Sequence, residues 1–443
     1  MLIAFIGVVC IGTLLLALPI SVRDGAQHTF VEAVFTAVSA SCAAGFPLVD
    51  LGSTYTGFGL AVILVLMQIG GLVLITISAI FLLLFRRKSP RRAKQLALTV
   101  TGGFELSEVK TLTFTIFGIT LLIEVIGFFL LSRVFIPEFG IEKGSFTALF
   151  YSVSAFCNTG FTLSGNGLGL PELYWPDQPL IVYTLTFLTL AGGIGFVVWM
   201  QLFQAIRHRT LALHTKIVLF GTLILTFTGA LLFFIFEGLA GNDPAFAALP
   251  LPEKIRSAIF LSVTTRSAGF DSQWIPQISV ASQWICIFLM FIGAGPGSTA
   301  GGVRIPVFFL LARSVYRDIT QKPDVTLFRH RIGKTLLRKA LVLFTLGFFI
   351  VLLLSLLLLF TESAALRDGR LTYVDLLFES VSAYGCVGLS SARTETLTLA
   401  GQLLLLPAML IGRIGPALFA VGTLSSTRQN HREIYPDAHV QIG

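Results

Sequence analysis

Apolar residues run in long, nearly unbroken stretches along this chain, and the polar positions gather between the stretches instead of alternating through them. Such runs begin at Leu2, Gly57, Leu112, Leu180, Ile217, Trp284, Ala340 and Leu399. Each is long enough to cross about 30 Å of hydrocarbon at 1.5 Å per residue, so the pattern predicts eight transmembrane helices. Leu2 to Ile20 has no basic leader and is read as a retained helix, not a cleaved signal. Between pairs of runs lie amphipathic segments of about a dozen residues, which reach only about 18 Å as helix. These must dip into the bilayer and return, and such backbone is tolerated only against protein or water.

The short segments carry one phrase four times: FTAVSASCAAGF from Phe35, FYSVSAFCNTGF from Phe150, FLSVTTRSAGF from Phe260 and FESVSAYGCVGL from Phe378. Their glycines, Gly45, Gly160, Gly269 and Gly388, are 115, 109 and 119 residues apart. One unit of about a hundred residues is therefore repeated four times. Its parts are an outer span, a short helix, a glycine turn and an inner span; in the second unit these are Leu112 to Ser132, Phe146 to Phe156, Cys157 to Phe161 and Leu180 to Gln201. The fold class is thus an all-α integral membrane protein of four tandem repeats, pseudo-four-fold around one pore. The units are 1–88, 89–210, 211–325 and 326–443, with turns near 41–46, 156–161, 265–270 and 384–389.

The physics of this hairpin suits a cation. A short helix aims C-terminal carbonyls, carrying about half a negative charge, into the membrane. The turn beyond it needs positive φ to present its own carbonyls, which glycine adopts cheaply, and carbonyls can replace an ion's hydration shell. Small residues that serve only helix packing would not need four matched positions after the same Val-Ser or Val-Thr phrase. The candidate filter is Cys42, Ala43, Ala44 and Gly45; Cys157, Asn158, Thr159 and Gly160; Ser267, Ala268 and Gly269; and Cys386, Val387 and Gly388.

Inner spans carry a second glycine mark, at Gly70, Gly192, Gly293 and Gly412, 24 to 32 residues beyond the filter glycine. It implies kinking or tight approach near mid-span. The third unit stands apart: GAGPGSTAGG, Gly293 to Gly302, cannot remain helical. Its unwound backbone predicts either a gate beneath the filter or a static break that makes room for neighbours. Arg413, mid-span in the fourth inner helix, is expected to face the path, as an electrostatic barrier or as a partner of the broken loop. Glu124 is expected to hydrogen-bond between helices, and Arg266 to pair with Glu379 or a neighbouring acid.

Composition agrees with a bilayer setting: 55% of the 443 residues are hydrophobic, 12% are charged, and the mean hydropathy is +0.86. The net charge of +8 comes from bases sorted by segment, including Arg86 to Lys94, Arg207 to Lys216 and Arg313 to Lys339. By the positive-inside rule these linkers are cytoplasmic, facing anionic lipid and not nucleic acid. The opposite ends hold most of the 23 acids, among them Glu32, Asp50, Glu237, Glu362 and Glu379, an arrangement that concentrates cations at an outer mouth. Five cysteines show neither metal spacing nor a disulfide framework and read as small packing residues. The six histidines form no HExxH or other catalytic grouping, so the chain is not an enzyme, and no nucleotide-binding motif is present.

The four phrases, with QIGG, GPGSTAGG and IGRIGP, resemble the TrkH/KtrB/HKT superfamily of potassium transporters over essentially the whole chain, and within it the KtrB branch. The resemblance implies potassium coordinated at Gly45, Gly160, Gly269 and Gly388; Gly45 favours potassium, since members with serine there tend to pass sodium. It implies a gating loop at Gly295, Pro296, Gly297, Ser298, Thr299, Ala300, Gly301 and Gly302, with Arg413 beside it. It further implies a homodimer, a KtrA-like cytosolic ring of nucleotide-binding regulatory subunits, sodium as an activator, no cofactor bound by the chain itself, and a multi-pass location in a bacterial inner membrane. The chain departs from the pattern at Cys42 and Cys157 and in GAGPGS. The alternatives are a sodium-selective or sodium/potassium member and, from a different class, a rocking secondary transporter, which usually shows inverted two-fold repeats.

Overall fold

The computed structural model describes residues 2–26, 28–85, 108–163, 178–208, 210–240, 244–270 and 278–425. The basic linker Arg86 to Lys94, Arg209, the acids Glu172, Asp177, Asp243 and Asp271, and the tail beyond Ser425 lie outside the described residues.

All eight expected apolar runs begin within helices. The first group is α1 (Leu2–Leu16), α2 (Phe30–Cys42) and α3 (Gly57–Phe85). In the second, the run α4 (Glu108–Phe156) turns at Gly140, whose φ of 81° is non-helical, so that one arm is long and the other is the short phrase helix. It is followed by α5 (Pro179–Gly193) and α6 (Phe196–His208). The third group is α7 (Leu213–Phe233), α8 (Leu251–Ser267), α9 (Val280–Ile292) and α10 (Ile305–Ile319). The fourth is α11 (Lys334–Thr361), α12 (Tyr373–Gly385) and α13 (Leu399–Ser425). A small antiparallel hairpin, β1 (Thr326–Leu327) with β2 (His330–Arg331), joins α10 to α11.

By length and apolarity among the described residues, Phe114–Phe156, Leu213–Leu239 and Lys334–Thr361 can each cross a bilayer, and α5 with α6 can do so as a pair bent by 93°. The other apolar helices have shorter described stretches, such as Gly57–Leu72 and Val280–Ile292. Their outward faces are apolar and uncovered: Phe114 is 78% exposed, Phe227 70% and Phe360 82%. Water would penalise such faces, whereas hydrocarbon does not.

The bend in the second group goes further than the kinking or tight approach expected of its glycine mark: it is an interruption in addition to that of the third inner span. Gly195, at φ 92°, places a second break beside the first.

The phrase helices are short because both ends are written into the sequence. In α2, Thr29 Oγ1 accepts from Glu32 N–H and the Glu32 carboxylate accepts from Thr29 N–H. In α12, Thr372 and Asp375 repeat the same reciprocal cap. The C-terminal ends stop at left-handed residues, Ala43 at φ 51° and Cys386 at φ 50°, and Asn158 ends the short arm of α4 at φ 54°. Unit three lacks this residue, which accounts for its shorter phrase: Ala268 caps α8 at φ −107°. Each phrase helix is buried along its last two turns, so these caps fix where four polar carbonyl ends point inside the protein.

Candidate ion pathway

The four glycine turns abut one another in a closed cycle. A Cβ built on Gly45 would fall onto the Thr159 carbonyl, one on Gly160 onto that of Ala268, one on Gly269 onto that of Val387, and one on Gly388 onto that of Ala44. Each glycine therefore touches the residue preceding the next glycine, and the fourth contact returns to the first turn. Four segments more than a hundred residues apart can satisfy this only by encircling a common centre. All four glycines are left-handed, with φ of 71°, 73°, 69° and 90°, a region costing other residues about 1–2 kcal/mol. Side chain and conformation both exclude anything larger than hydrogen.

The recurrent Val-Ser or Val-Thr of the phrase has a structural job that the sequence reading did not assign. The hydroxyls of Ser39, Ser154 and Thr264 donate to the carbonyls of Phe46, Phe161 and Phe270 at 3.2, 3.0 and 3.0 Å. In the fourth turn Ser382 Oγ accepts from Gly388 N–H at 3.1 Å. The same residues' backbone carbonyls accept from Ala44, Thr159, Gly269 and Val387 N–H groups. Ser39, Ser154, Thr264 and Ser382 thus staple each turn to its own helix; the signal was their fixed place in the phrase.

The inner-span glycines admit these helix ends. A Cβ on Gly70 would collide with the Ser41 carbonyl, one on Gly192 with that of Phe156, and one on Gly412 with that of Tyr384. Each inner helix therefore passes hard against the terminal carbonyls of its own phrase helix. In unit three the chain instead unwinds, and Gly293 packs against the Gly301 carbonyl.

That unwound loop leaves and rejoins the helices at a tied neck. Val303, Arg304 and Ile305 N–H groups donate to the carbonyls of Phe291, Ile292 and Ala294 at 3.1, 2.9 and 3.0 Å. Between these ties, the loop zips onto the break in the second inner helix: Gly295 N–H donates to Gly193 O, Thr299 N–H to Gly192 O, and Phe196 N–H to Gly297 O. Thr299 Oγ1 donates to the Phe156 carbonyl at 3.0 Å, at the end of the second phrase helix. The expected gate residues are brought directly against the expected filter.

Two buried arginines hold the loop. Arg413, 1% exposed, donates to the Thr299 and Gly70 carbonyls, joining the loop to the first inner helix. Of its two expected roles, this is the partnership with the broken loop. Arg304, which the sequence reading passed over, has φ 81° and donates through Nη1 to the carbonyls of Gly295 and Ala300 and to Ser298 Oγ. Neither guanidinium has a carboxylate partner among the described residues; both neutralise backbone oxygens instead.

Other expectations resolve differently. Glu124 does join helices: its carboxylate accepts from Gln68 Nε2 at 3.1 Å, and its backbone carbonyl from Ser152 Oγ at 2.7 Å. Arg266 does not meet Glu379. It donates to Thr226 Oγ1 at 2.8 Å, while Glu379 accepts from Ser390, Thr394 and the Ala392 N–H and pins the segment after the fourth turn. Of the acids expected at an outer mouth, Glu237, Glu362 and Glu379 are buried and hydrogen-bonded. Glu237 and Glu362 reach Ser279 and Thr398, the residues that precede α9 and α13, so they brace helix starts and add little to a surface field. Cys42, Cys157, Cys286 and Cys386 are buried and free, and Cys10 is exposed and free.

Outside the spanning segments, His28 Nε2 and Tyr55 Oη are 2.8 Å apart in edge-on rings. Burial pushes the Tyr55 phenol up to about 12. Burial likewise lowers His28 from its ordinary value, against the opposing pull of Glu32.

The model of the TrkH family, described as cation transport protein, matches residues 4–425. The chain is 34% identical to Ktr system potassium uptake protein B of Bacillus subtilis, covering 100% of this chain and 95% of that protein. It is 32% identical to the potassium/sodium uptake protein NtpJ of Enterococcus hirae, covering 99% and 95%. Among solved structures, the potassium transporter TrkH from Vibrio parahaemolyticus superposes with a TM-score of 0.67 at 16% identity, over 96% of this chain and 84% of that one.

Proposed function

We infer the function from the family: this chain belongs to the TrkH cation transport proteins, a family of multi-pass membrane transporters and not of enzymes, and its own role is potassium uptake across a bacterial inner membrane. Its four units surround one pathway, eight spans in all, with units bounded near residues 88, 210 and 325. Potassium sheds water at Gly45, Gly160, Gly269 and Gly388 and takes peptide oxygens of the same turns in exchange. The observation that carries this reading is the closed cycle of the four glycine turns.

The loop from Gly295 to Gly302 is the gate in this reading, and its position against Phe156 and Asn158 supports an obstructing role. Unlocking it requires the loop to leave the Gly192–Gly193 carbonyls and Arg413. A homodimer, a cytosolic ring of nucleotide-binding regulatory subunits and stimulation by sodium belong to the same reading, supported by the likeness to a Ktr system protein B. A rocking transporter would need two mobile halves, whereas the glycine cycle joins all four units at a single point.

The test is growth. A host without its own potassium uptake, given this chain and its regulator, grows on low potassium; failure to grow while sodium uptake rises assigns the chain to the sodium-selective alternative. The likeness to a potassium/sodium uptake protein makes that comparison worth running in both ions.

A further inference from the structure

Below the glycine cycle, four buried groups form a hydrogen-bond chain with one direction. Ser267 Oγ donates to Asn158 Oδ1 at 2.9 Å, Asn158 Nδ2 donates to Thr299 Oγ1 at 2.5 Å, and Thr299 Oγ1 donates to the Phe156 carbonyl at 3.0 Å. Asn158 Nδ2 also reaches the Phe156 carbonyl at 3.3 Å. Asn158 and Thr299 are fully buried and Ser267 nearly so. Because Thr299 spends its only proton on Phe156, it can only accept from Asn158, and this fixes the amide with its oxygen toward Ser267. The chain therefore runs from the third turn, through the second, into the loop.

Asn158 occupies a special place among its counterparts. Three turns have a left-handed residue after the phrase helix, Ala43, Asn158 and Cys386, and only Asn158 brings an amide. Thr159 and Gly160 follow at once, and Gly160 is the member of the cycle that abuts Ala268, the residue after Ser267. The amide thus joins the Phe156 carbonyl of the second unit, the Ser267 hydroxyl of the third turn and the Thr299 hydroxyl of the loop. Movement of Thr299 out of this position would strip Asn158 of an acceptor and Phe156 of a donor in a buried site, where unpaired polar groups are costly.

We propose that Asn158 is a positioning residue through which the intramembrane loop sets the geometry of the second and third filter turns, so that discrimination between potassium and sodium depends on the loop's position. This rests on the potassium-pathway reading above.

The experiment compares potassium and sodium flux through the full chain in liposomes for four variants. Asn158→Gly keeps the left-handed backbone and deletes the amide; Thr299→Val deletes the hydroxyl and keeps the backbone contacts to Gly192 and Arg413; Thr299→Ser keeps the hydroxyl; the fourth is the double variant N158G/T299V. We expect each of the first two to lower the potassium-to-sodium ratio about tenfold, equivalent to about 1.4 kcal/mol, Thr299→Ser to retain it, and the double variant to lose no more than one single variant. Multiplying losses in the double variant, or a ratio untouched by Thr299→Val, overturns the proposal. Should the glycine and valine variants fail to insert, Ser267→Ala reads the same chain from its other end: a lowered ratio supports the coupling and an unchanged one refutes it. An unmodified chain without potassium preference refutes the pathway reading itself, a result separable from all of these.

Discussion

Arg413 grips Thr299 by its backbone: the guanidinium of the fourth inner helix donates to the Thr299 carbonyl while its other terminal nitrogen donates to Gly70 on the first inner helix. A charge buried this deeply is retained at a cost, and here it is balanced by one peptide oxygen of the unwound loop and one of the first inner helix.

Replacing Arg413 with methionine removes both donations while keeping an unbranched apolar side chain. The buried Thr299 carbonyl, deprived of this donor, costs about 1–3 kcal/mol. We expect a lower thermal midpoint in detergent and a several-fold rise in potassium flux, read with a potassium-sensitive dye in liposomes. Flux equal to that of the unmodified chain would show that this tether does not restrain the path.

Because the neck of the loop is tied at Phe291, Ile292 and Ala294, residues beyond the ties can be removed without parting α9 from α10. Deleting Gly297 to Ala300 is expected to raise flux more than Arg413→Met does, since the obstructing backbone itself is gone. A folded, well-expressed deletion with unaltered flux would make the loop a static spacer.

Gly45→Ser adds a Cβ where the Thr159 carbonyl sits and imposes φ 71° on a residue that disfavours it. The first turn must withdraw, and potassium preference should fall, seen as failed growth on low potassium with sodium uptake maintained or raised. Gly25→Ala is the control, as Gly25 is equally left-handed at φ 83° but has open space around it; its selectivity should not change.

Glu124→Leu leaves the Gln68 amide without its acceptor and should lower stability by about 1–3 kcal/mol. Glu124→Gln restores an acceptor and should recover most of the loss. Thermal unfolding followed by tryptophan fluorescence distinguishes them; equal midpoints for both variants would remove the interhelical role.

His28 gives the fold a mild acid sensitivity. Its lowered value in the fold means that the folded chain binds this proton less readily than the unfolded chain. The contribution is complete above the ordinary value near 6.5 and is lost as pH falls through the lower folded value. The thermal midpoint should decline across that window, and His28→Gln should flatten the decline; an identical profile would assign it elsewhere.

Periodicity and repetition made much of this molecule legible. The apolar runs located the helices, and four matched glycines marked the turns that close into one cycle, because only glycine satisfies both the left-handed turn and the contact with the next carbonyl. What stayed hidden depends on pairing across units. Gly192, Gly193 and Gly195 read as another mid-span mark, yet they form a second break because the loop's N–H groups take the carbonyls a continuous helix would have used. Arg304 carried no signal of its own in the sequence, because its partners, the carbonyls of Gly295 and Ala300, come within reach only when the loop folds back over it. Glu379 appeared to be a countercharge for Arg266, but hydroxyls nearby in sequence, on Ser390 and Thr394, reach it first.

The turn of unit three is one residue shorter than its fellows, yet it fills its quarter of the same cycle. Identical subunits assembled from separate chains would copy any such change into every quadrant at once. Covalent linkage frees each sector to diverge alone: one quadrant can forgo its left-handed hinge, another can carry an amide, and a single inner helix can unravel, while the rim they share stays intact.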